Sequence, residues 1–182
     1  AEDALDKSAR MIVKSDVLVG IDELATAREM SSLFIQLGRY SETETLLLKL
    51  IAEYEKQFGP TSLRLIEPLV NLGRLTLLKG DYTEADKIAK RANDIAMKVY
   101  STNSTKTAPT QKLLSDIDYQ IGDYDKAEEY IQLALKSQEM QFGRNHIDVA
   151  KSLSQLALIK FYKGDNRKEV EKIMIESRDI VG

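Results

Sequence analysis

Apolar residues recur along the chain with the spacing of an α-helix, in segments that are separated by glycine. In residues 149–161, which precede Gly164, the apolar positions step by four, three, one and four, and together form one stripe on a helix of 3.6 residues per turn. Residues 127–135, which follow Gly122, show the same spacing. Nowhere does the sequence alternate for long enough to indicate a strand. The pattern therefore predicts pairs of helices joined by a short turn at glycine.

The predicted helix pairs repeat every 42 residues. The turn sequence Gly-x-Tyr occurs three times and is followed by a degraded copy, with the four glycines 42 residues apart at Gly38, Gly80, Gly122 and Gly164. Glycine adopts the left-handed backbone of such a turn at little steric cost. A bulky residue beside a small one keeps the same register, as at Leu114-Ser115 and Leu156-Ala157. This second column indicates close contact between helices.

We predict an all-α fold, a right-handed superhelix of nine antiparallel helices in a single domain. The predicted helices span residues 1–17, 20–37, 41–57, 63–79, 83–99, 107–121, 125–141, 147–163 and 167–180. Each predicted repeat has a first helix before its glycine turn and a second helix after it. Residues 1–17 are predicted to be an orphan second helix, whose first helix is missing. The repeats follow at 18–59, 60–101, 102–143 and 144–182. Because the chain begins at Ala1 and its first helix lacks a partner, we expect it to be excised from a longer protein. Pro68 lacks a backbone donor and should kink the fourth helix or delay its start.

The composition argues against several classes of function. The 182 residues include 26 Lys and Arg against 29 Asp and Glu, and this net charge of −3 does not suit a general nucleic-acid or acidic-membrane binder. Cysteine is absent and there is one histidine, so thiolate chemistry is excluded and most metal or acid–base chemistry is disfavoured. No apolar run approaches the roughly 20 residues that span a bilayer. We expect no cofactor, no catalysis and a cytoplasmic location.

Two candidate sites have structural explanations. His146 is the only imidazole, and its position between two predicted helices favours a residue that caps or bridges them. A catalytic histidine would need a nucleophile and an orienting acid beside it, and none is suggested. The acidic run Asp116, Asp118, Asp123 and Asp125 lies around a turn and lacks the loop pattern of a calcium site. A solvated helix end explains this run better than a metal site.

The repeat resembles the tetratricopeptide repeat family. The small residue after Leu, the Gly-x-Tyr turn and the Ala three residues later match its core pattern, as in Ser115, Tyr124 and Ala127. The 42-residue period is similar to that of kinesin light chains and of bacterial CHAT-associated repeat proteins. Residues 142–150 look like the F-G-x-x-H-P-D-x-A linker of this subtype, with Ile in place of Pro. The last repeat departs from the pattern, since Asn166 replaces the turn aromatic and Lys160 replaces an aromatic of the first helix.

The resemblance implies a solenoid whose first helices form a concave groove that binds other proteins. We predict that this groove is lined by Arg28, Arg74, Lys112, Tyr119, Leu158 and Tyr162. Its early part is basic and its later part is apolar, so the expected ligand is a protein or peptide with an acidic half and a hydrophobic half. The leading hypothesis is a non-catalytic scaffold. The alternative is a regulatory, peptide-sensing module of a larger protein with an absent protease or transcription-regulator domain.

Apolar residues at the two ends of the chain also predict weak self-association. They are Leu5, Ala9 and Ile12 in the first predicted helix, and Ile173, Met174, Ile180 and Val181 in the last. Exposed apolar edges of repeat arrays tend to find partners.

Overall fold

The computed structural model describes residues 27, 30, 31, 33–35 and 37–181, and this part of the chain is helical and contains no strand. Two compact units divide the chain, Ala1–Ile88 and Ala89–Gly182. None of the described helices combines the length and apolar composition needed to cross a bilayer.

The first unit is built around a core of leucines. Its described elements are helical residues between 27 and 35, helix α1 (Tyr40–Phe58), a 3-10 turn (Leu63–Leu65), helix α2 (Ile66–Leu78) and the start of helix α3 (Tyr82–Met97). Helix α1 packs against α2. The largest fully buried side chains of this unit are Phe34, Leu46, Leu47, Leu50, Leu65, Leu69 and Leu75.

The second unit contains the rest of α3 and four further helices that pack in chain order. They are α4 (Ala108–Ile121), α5 (Tyr124–Phe142), α6 (Ile147–Lys163) and α7 (Arg167–Val181). Helix α4 packs on α5, α5 on α6, and α6 on α7. The centre of this unit is an apolar cluster of Ala127, Ile131, Leu156 and Ile159, all buried.

The predicted fold class is confirmed. Each helix that the structure describes from end to end begins and ends within two residues of its predicted span. For α2 this comparison includes the preceding 3-10 turn. Helix α6 has the predicted bounds. The orphan helix at 1–17 and much of the helix predicted at 20–37 lie outside the described residues. The division into repeats at 18–59, 60–101, 102–143 and 144–182 stays a prediction.

The fourth predicted helix starts late, as Pro68 indicates. The chain first makes the 3-10 turn, with the Ser62 hydroxyl accepting from the Arg64 amide, and the α-helix begins at Ile66. Pro68 therefore lies in the first turn, where backbone N–H groups have no partner within the helix. The missing donor costs nothing at this position.

The glycine turns adopt the left-handed backbone that the register predicts. Gly122 ends α4 with φ 84° and ψ 9°, and the Asp123 amide donates to the Asp118 carbonyl at 2.9 Å. The other three register glycines also have positive φ. The turn thus closes the end of α4 and redirects the chain into α5.

Replacing Gly122 with alanine is expected to destabilise the protein by about 1–2 kcal/mol, because an L-residue in the left-handed region brings its Cβ against the following carbonyl. Urea denaturation measures the loss. Gln120→Ala, an exposed neighbour with ordinary helical backbone, serves as the control and should stay within about 0.5 kcal/mol of the parent. Equal stabilities of the two variants would contradict the expected strain.

The predicted apolar chain ends are described only in part. Met174 and Val181 are exposed, whereas Ile180 is half-buried and Ile173 packs against the central cluster of the second unit. The residues of the first predicted helix lie outside the described residues. Self-association stays a prediction.

Candidate functional site

Helices α4 and α6 lie side by side in the second unit and are joined by polar contacts. The Lys112 ammonium donates to the Ser152 hydroxyl at 3.4 Å, and the Gln155 amide donates to Asp116 Oδ1 at 2.6 Å. These helices are the first helices of the predicted third and fourth repeats. We call their shared outer side the α4–α6 face, and its residues are Lys112, Asp116, Tyr119, Gln155, Leu158 and Tyr162.

Aromatic rings occupy one end of the α4–α6 face. Tyr162 contacts the Tyr119 ring edge-on, with centroids 5.6 Å apart, stacks on Tyr124 at 6.2 Å and meets Phe161 at 5.4 Å. Tyr162 is 53% exposed and Leu158, one helical turn earlier, is 45% exposed. Rings held by each other and still open to solvent are the kind of apolar surface that marks an interaction site.

The phenol of Tyr119 is neutral at physiological pH. Burial raises the pKa of Tyr119, and the adjacent Tyr162 hydroxyl raises it further. The aromatic end of the face therefore offers rings and the uncharged hydroxyl group of Tyr119 to a ligand.

Small residues lie where α4 and α6 contact their own partner helices. The buried Ser115 hydroxyl donates to the Ala127 carbonyl at 2.7 Å, which ties α4 to α5. The Ser177 hydroxyl donates to the Ala150 carbonyl at 2.7 Å, which ties α6 to α7. These contacts fix α4 and α6 to their partner helices, and Leu158 and Tyr162 are the exposed part of the α4–α6 face.

A network of charges lies at the ends of α5, α6 and α7. The Lys160 ammonium is 2.7 Å from Asp165, 3.0 Å from Glu128 and 3.1 Å from Glu169, and its side chain is only 11% exposed. Lys163 adds a second ion pair with Glu128 at 2.8 Å. The network joins three helices at the junction between the last two repeats.

Hydrogen bonding keeps these groups charged despite partial burial. Burial alone would lower the pKa of Lys160, but its bonds to Asp165, Glu128 and Glu169 outweigh that effect and raise the pKa. Burial alone would raise the pKa of Glu128, but its bonds to Lys163 and Lys160 outweigh it and lower the pKa. A lysine thus takes the place of an apolar contact at this junction.

His146 caps a helix, as the sequence indicates. It precedes α6, its Nδ1 accepts from the Asp148 amide at 3.2 Å, and its ring stacks on Phe142 with centroids 4.4 Å apart. The contacts account for a histidine at this position without catalysis.

The acidic run around Gly122 has several structural roles. Asp123 caps α5 through the Lys126 amide, Asp116 accepts from Gln155, and Asp125 pairs with Lys163 at 2.7 Å. Asp118 is buried, so a solvated helix end is the wrong description for that residue. The reason is that Asp118 lies on the side of α4 that packs into the interior of the second unit.

The six predicted groove residues have different outcomes. Lys112, Tyr119, Leu158 and Tyr162 all lie in the second unit, and the structure brings Tyr119 and Tyr162 into ring contact. Arg74 is an exposed residue of α2 in the first unit, and Arg28 lies outside the described residues. That all six line one groove stays a prediction.

Sequence reasoning misses three residues that shape this part of the molecule. The register assigns Tyr124 only to the turn motif, yet its ring joins the aromatic cluster. It assigns Gln155 and Lys160 to no contact, although Lys160 departs from the repeat pattern. The sequence signal that could have identified Lys160 is its departure from the repeat consensus at a junction between helices.

Comparisons with known proteins agree with this architecture. A family model described as Tetratricopeptide repeat matches residues 22–98, 69–140 and 106–171. No curated protein matches the sequence.

Solved structures with a similar fold cover nearly the whole chain. A putative kinesin light chain from Podosopora anserina, with nearly identical TPR-like repeats, is 18% identical with a TM-score of 0.70, covering 98% of this chain and 84% of that one. BtubC (BKLC) from P. vanneervenii is 15% identical with a TM-score of 0.77, covering 99% and 71%. The apo form of RapI is 13% identical with a TM-score of 0.78, covering 99% and 62%.

These identities are too low to show more than the fold, and a relation to CHAT-associated proteins stays a prediction. The family model, in contrast, matches well over half of the chain with overlapping copies of the repeat. The sequence register and the paired helices agree with it. The chain belongs to the tetratricopeptide repeat family.

Proposed function

We propose that this protein is a non-catalytic scaffold that binds a peptide or helix of a partner protein on the α4–α6 face. Tetratricopeptide repeats are protein-interaction modules, and the observation that carries the proposal is the exposed aromatic end of this face. Binding energy at protein interfaces concentrates in a few aromatic and arginine anchors. Tyr162 and Leu158 are the anchors that the geometry favours.

The proposed ligand has an apolar segment and an acidic segment. Tyr119, Leu158 and Tyr162 favour an apolar side chain, whereas Lys112, two turns before Tyr119 on α4, favours a carboxylate. Rim charges of this kind affect association rate and salt dependence more than affinity.

Selection from a random peptide library displayed on phage tests the proposal. We expect the selected peptides, labelled and measured by fluorescence anisotropy, to lose at least tenfold in affinity with Tyr162→Ala, since truncating an anchor typically costs about 2 kcal/mol. Lys112→Glu should cost less and reduce the salt dependence. Met140→Ala, which removes an exposed apolar side chain of α5, is the matched control and should leave affinity within about twofold.

The proposal fails if the selected peptides bind Tyr162→Ala and Leu158→Ala as tightly as the parent. Circular dichroism of each variant shows whether the fold is retained. Both side chains are about half exposed, so we expect the variants to remain folded.

A further inference from the structure

Polar residues are buried where α4 begins, at register positions that are apolar in the neighbouring repeats. Thr107 and Gln111 are both buried. In the repeats on either side, 42 residues away, the same two positions are held by buried apolar residues, which are Leu65, Leu69, Val149 and Leu153. We call Thr107, Thr110, Gln111 and Asn93 of α3 the polar junction. Burial of polar groups is unfavourable unless each of them is hydrogen-bonded.

The hydroxyl groups of the polar junction bond largely within the start of α4. Thr107 Oγ1 donates to the Ser104 carbonyl at 2.6 Å, in the loop that precedes the helix. Thr110 Oγ1 lies 2.9 Å from Asn93 Oδ1 on α3 and 2.7 Å from the Thr107 carbonyl, so its single hydrogen is shared between the two acceptors. Helix α4 also begins without a side-chain cap. These bonds therefore hold the first turn of α4 to its own loop more than to α3.

Gln111 leaves one buried acceptor without a partner. Its amide group donates to the Thr102 carbonyl at 2.8 Å, which fixes the orientation of the amide. The side-chain oxygen, Oε1, is buried and accepts no hydrogen bond from any residue that the structure describes. An unpaired buried acceptor has lost its hydration without replacement, and this unfavourable contribution disappears when water reaches the atom. Opening of the polar junction would therefore relieve it.

We propose that residues 101–112 form a segment that opens away from α3 while the rest of the second unit stays folded. The hydrogen bonds within the segment are kept on opening, and Gln111 Oε1 gains water as a partner. Beyond the segment, the Ser115 hydroxyl bonds to the Ala127 carbonyl and holds the remainder of α4 on α5. Such local opening, at a lower free energy than global unfolding, is typical of segments with few buried apolar contacts.

The opening segment carries one end of the α4–α6 face. Lys112 directly follows Gln111, and its ammonium donates to the Ser152 hydroxyl of α6 at 3.4 Å when the segment is closed. Opening moves this ammonium relative to Tyr119 and Tyr162, which lie beyond the segment. The basic end of the face is thus adjustable, whereas its aromatic end is fixed. This consequence rests on the proposed function, but the opening itself does not.

The chain offers a matched pair of positions at which to measure the opening. Thr110 and Ser152 are equivalent in the register and fully buried, and each hydroxyl lies next to an amide oxygen of the preceding helix. For Ser152 this acceptor is Gln138 Oε1, at 2.7 Å. Because the chain contains no cysteine, Thr110→Cys and Ser152→Cys each introduce a single thiol.

The rate at which each thiol reacts with iodoacetamide, relative to the same variant unfolded in urea, tests the proposal. Global unfolding of the second unit exposes both thiols equally, so an excess rate for Thr110→Cys measures local opening. We expect Thr110→Cys to react about tenfold or more faster than Ser152→Cys. Adding Gln111→Met, which keeps the length of the side chain and removes its polar atoms, should slow Thr110→Cys about tenfold and leave Ser152→Cys unchanged. The Thr102 carbonyl then still has the Thr107 hydroxyl at 3.2 Å.

Equal rates for Thr110→Cys and Ser152→Cys would overturn the proposal, and an ordered water bonded to Gln111 Oε1 in the closed junction would give that result. An unchanged rate for Thr110→Cys after addition of Gln111→Met would overturn it too. If Thr110→Cys loses the native circular dichroism spectrum, Thr107→Cys and Val149→Cys form a second matched pair with the same expected difference. No ligand is present in this experiment, so its outcome is separate from that of the peptide selection.

Discussion

Replacing Lys160 with methionine is expected to lower the free energy of unfolding by about 3 kcal/mol, because it removes the cation from a largely buried network and leaves carboxylates facing one another. Glu128 and Asp165 lose a hydrogen bond, and Glu128 keeps only Lys163 as its ion-pair partner among the described residues. Methionine is similar to lysine in side-chain volume, so the loss of stability measures the effect of removing the charge. Urea denaturation at pH 7 measures it.

Lys163→Met is the matched control at the rim of the same network. Its ammonium also contacts Glu128, but the side chain is 34% exposed, so water replaces the lost contact and the effect should be clearly smaller. A loss with Lys163→Met as large as that with Lys160→Met would show that burial does not govern this network.

The pH dependence of the Lys160→Met effect follows from the direction of the pKa shifts. The hydrogen bond from Lys160 lowers the pKa of Asp165, and burial of Glu128 is outweighed by its bonds to lysine, so its pKa is lowered as well. A group with a lowered folded pKa stabilises the protein above its unfolded value of about 4, and this contribution is lost as the pH falls through the folded pKa. Because the pKa of Lys160 is raised, the stabilisation that its charge provides is lost only above about pH 10. The difference between parent and variant should therefore be constant from about pH 5 to 10 and shrink in acid. A difference as large at pH 2 as at pH 7 would contradict this account.

Ile159→Ala is expected to destabilise the second unit by about 2–5 kcal/mol, through lost burial and the cavity left behind. Ile159 is fully buried and belongs to the cluster that joins α5 to α6. The adjacent Leu158 loses a similar number of carbon atoms in Leu158→Ala, but it is largely exposed and its loss should stay near 0.5 kcal/mol or below. Thermal and urea denaturation of the two variants give a direct comparison.

These two neighbours also separate stability from recognition. Leu158→Ala should bind the selected peptides more weakly while it remains folded, and Ile159→Ala should unfold more easily without a specific binding defect at low temperature. If Leu158→Ala were the less stable variant, the orientation of α6 described above would be wrong.

The sequence predicts the helices of this fold well because the same turn and packing positions recur in each repeat. Gly122 and Gly164 mark where the backbone must become left-handed, and the small residues Ser115 and Ala157 mark where helices approach closely. A pattern that recurs in register can be recognised even where one repeat departs from it, so the helix boundaries are predicted to within a few residues. Residues outside the repeated columns carry no such support.

The network around Lys160 could not be predicted in the same way. A lysine in a consensus apolar position can point to solvent or replace a buried contact with ion pairs, and periodicity does not distinguish the two. The answer depends on Glu128, 32 positions earlier, and on Asp165 across a turn. For the same reason the sequence suggests that Tyr119 and Tyr162 share a groove, but not that Tyr124 joins them.

The left-handed turn at Gly122 also reverses the chirality that this position prefers. Its φ of 84° and ψ of 9° are the mirror image of the conformation that L-residues adopt at the third position of a type I turn, and the glycine is exposed. A D-alanine at position 122, introduced by chemical ligation, would have the turn conformation as its own preference. It would also restrict the unfolded chain more than glycine does, a gain of about 0.4–1 kcal/mol for such replacements. The strain that L-alanine introduces here is therefore a matter of handedness rather than of space.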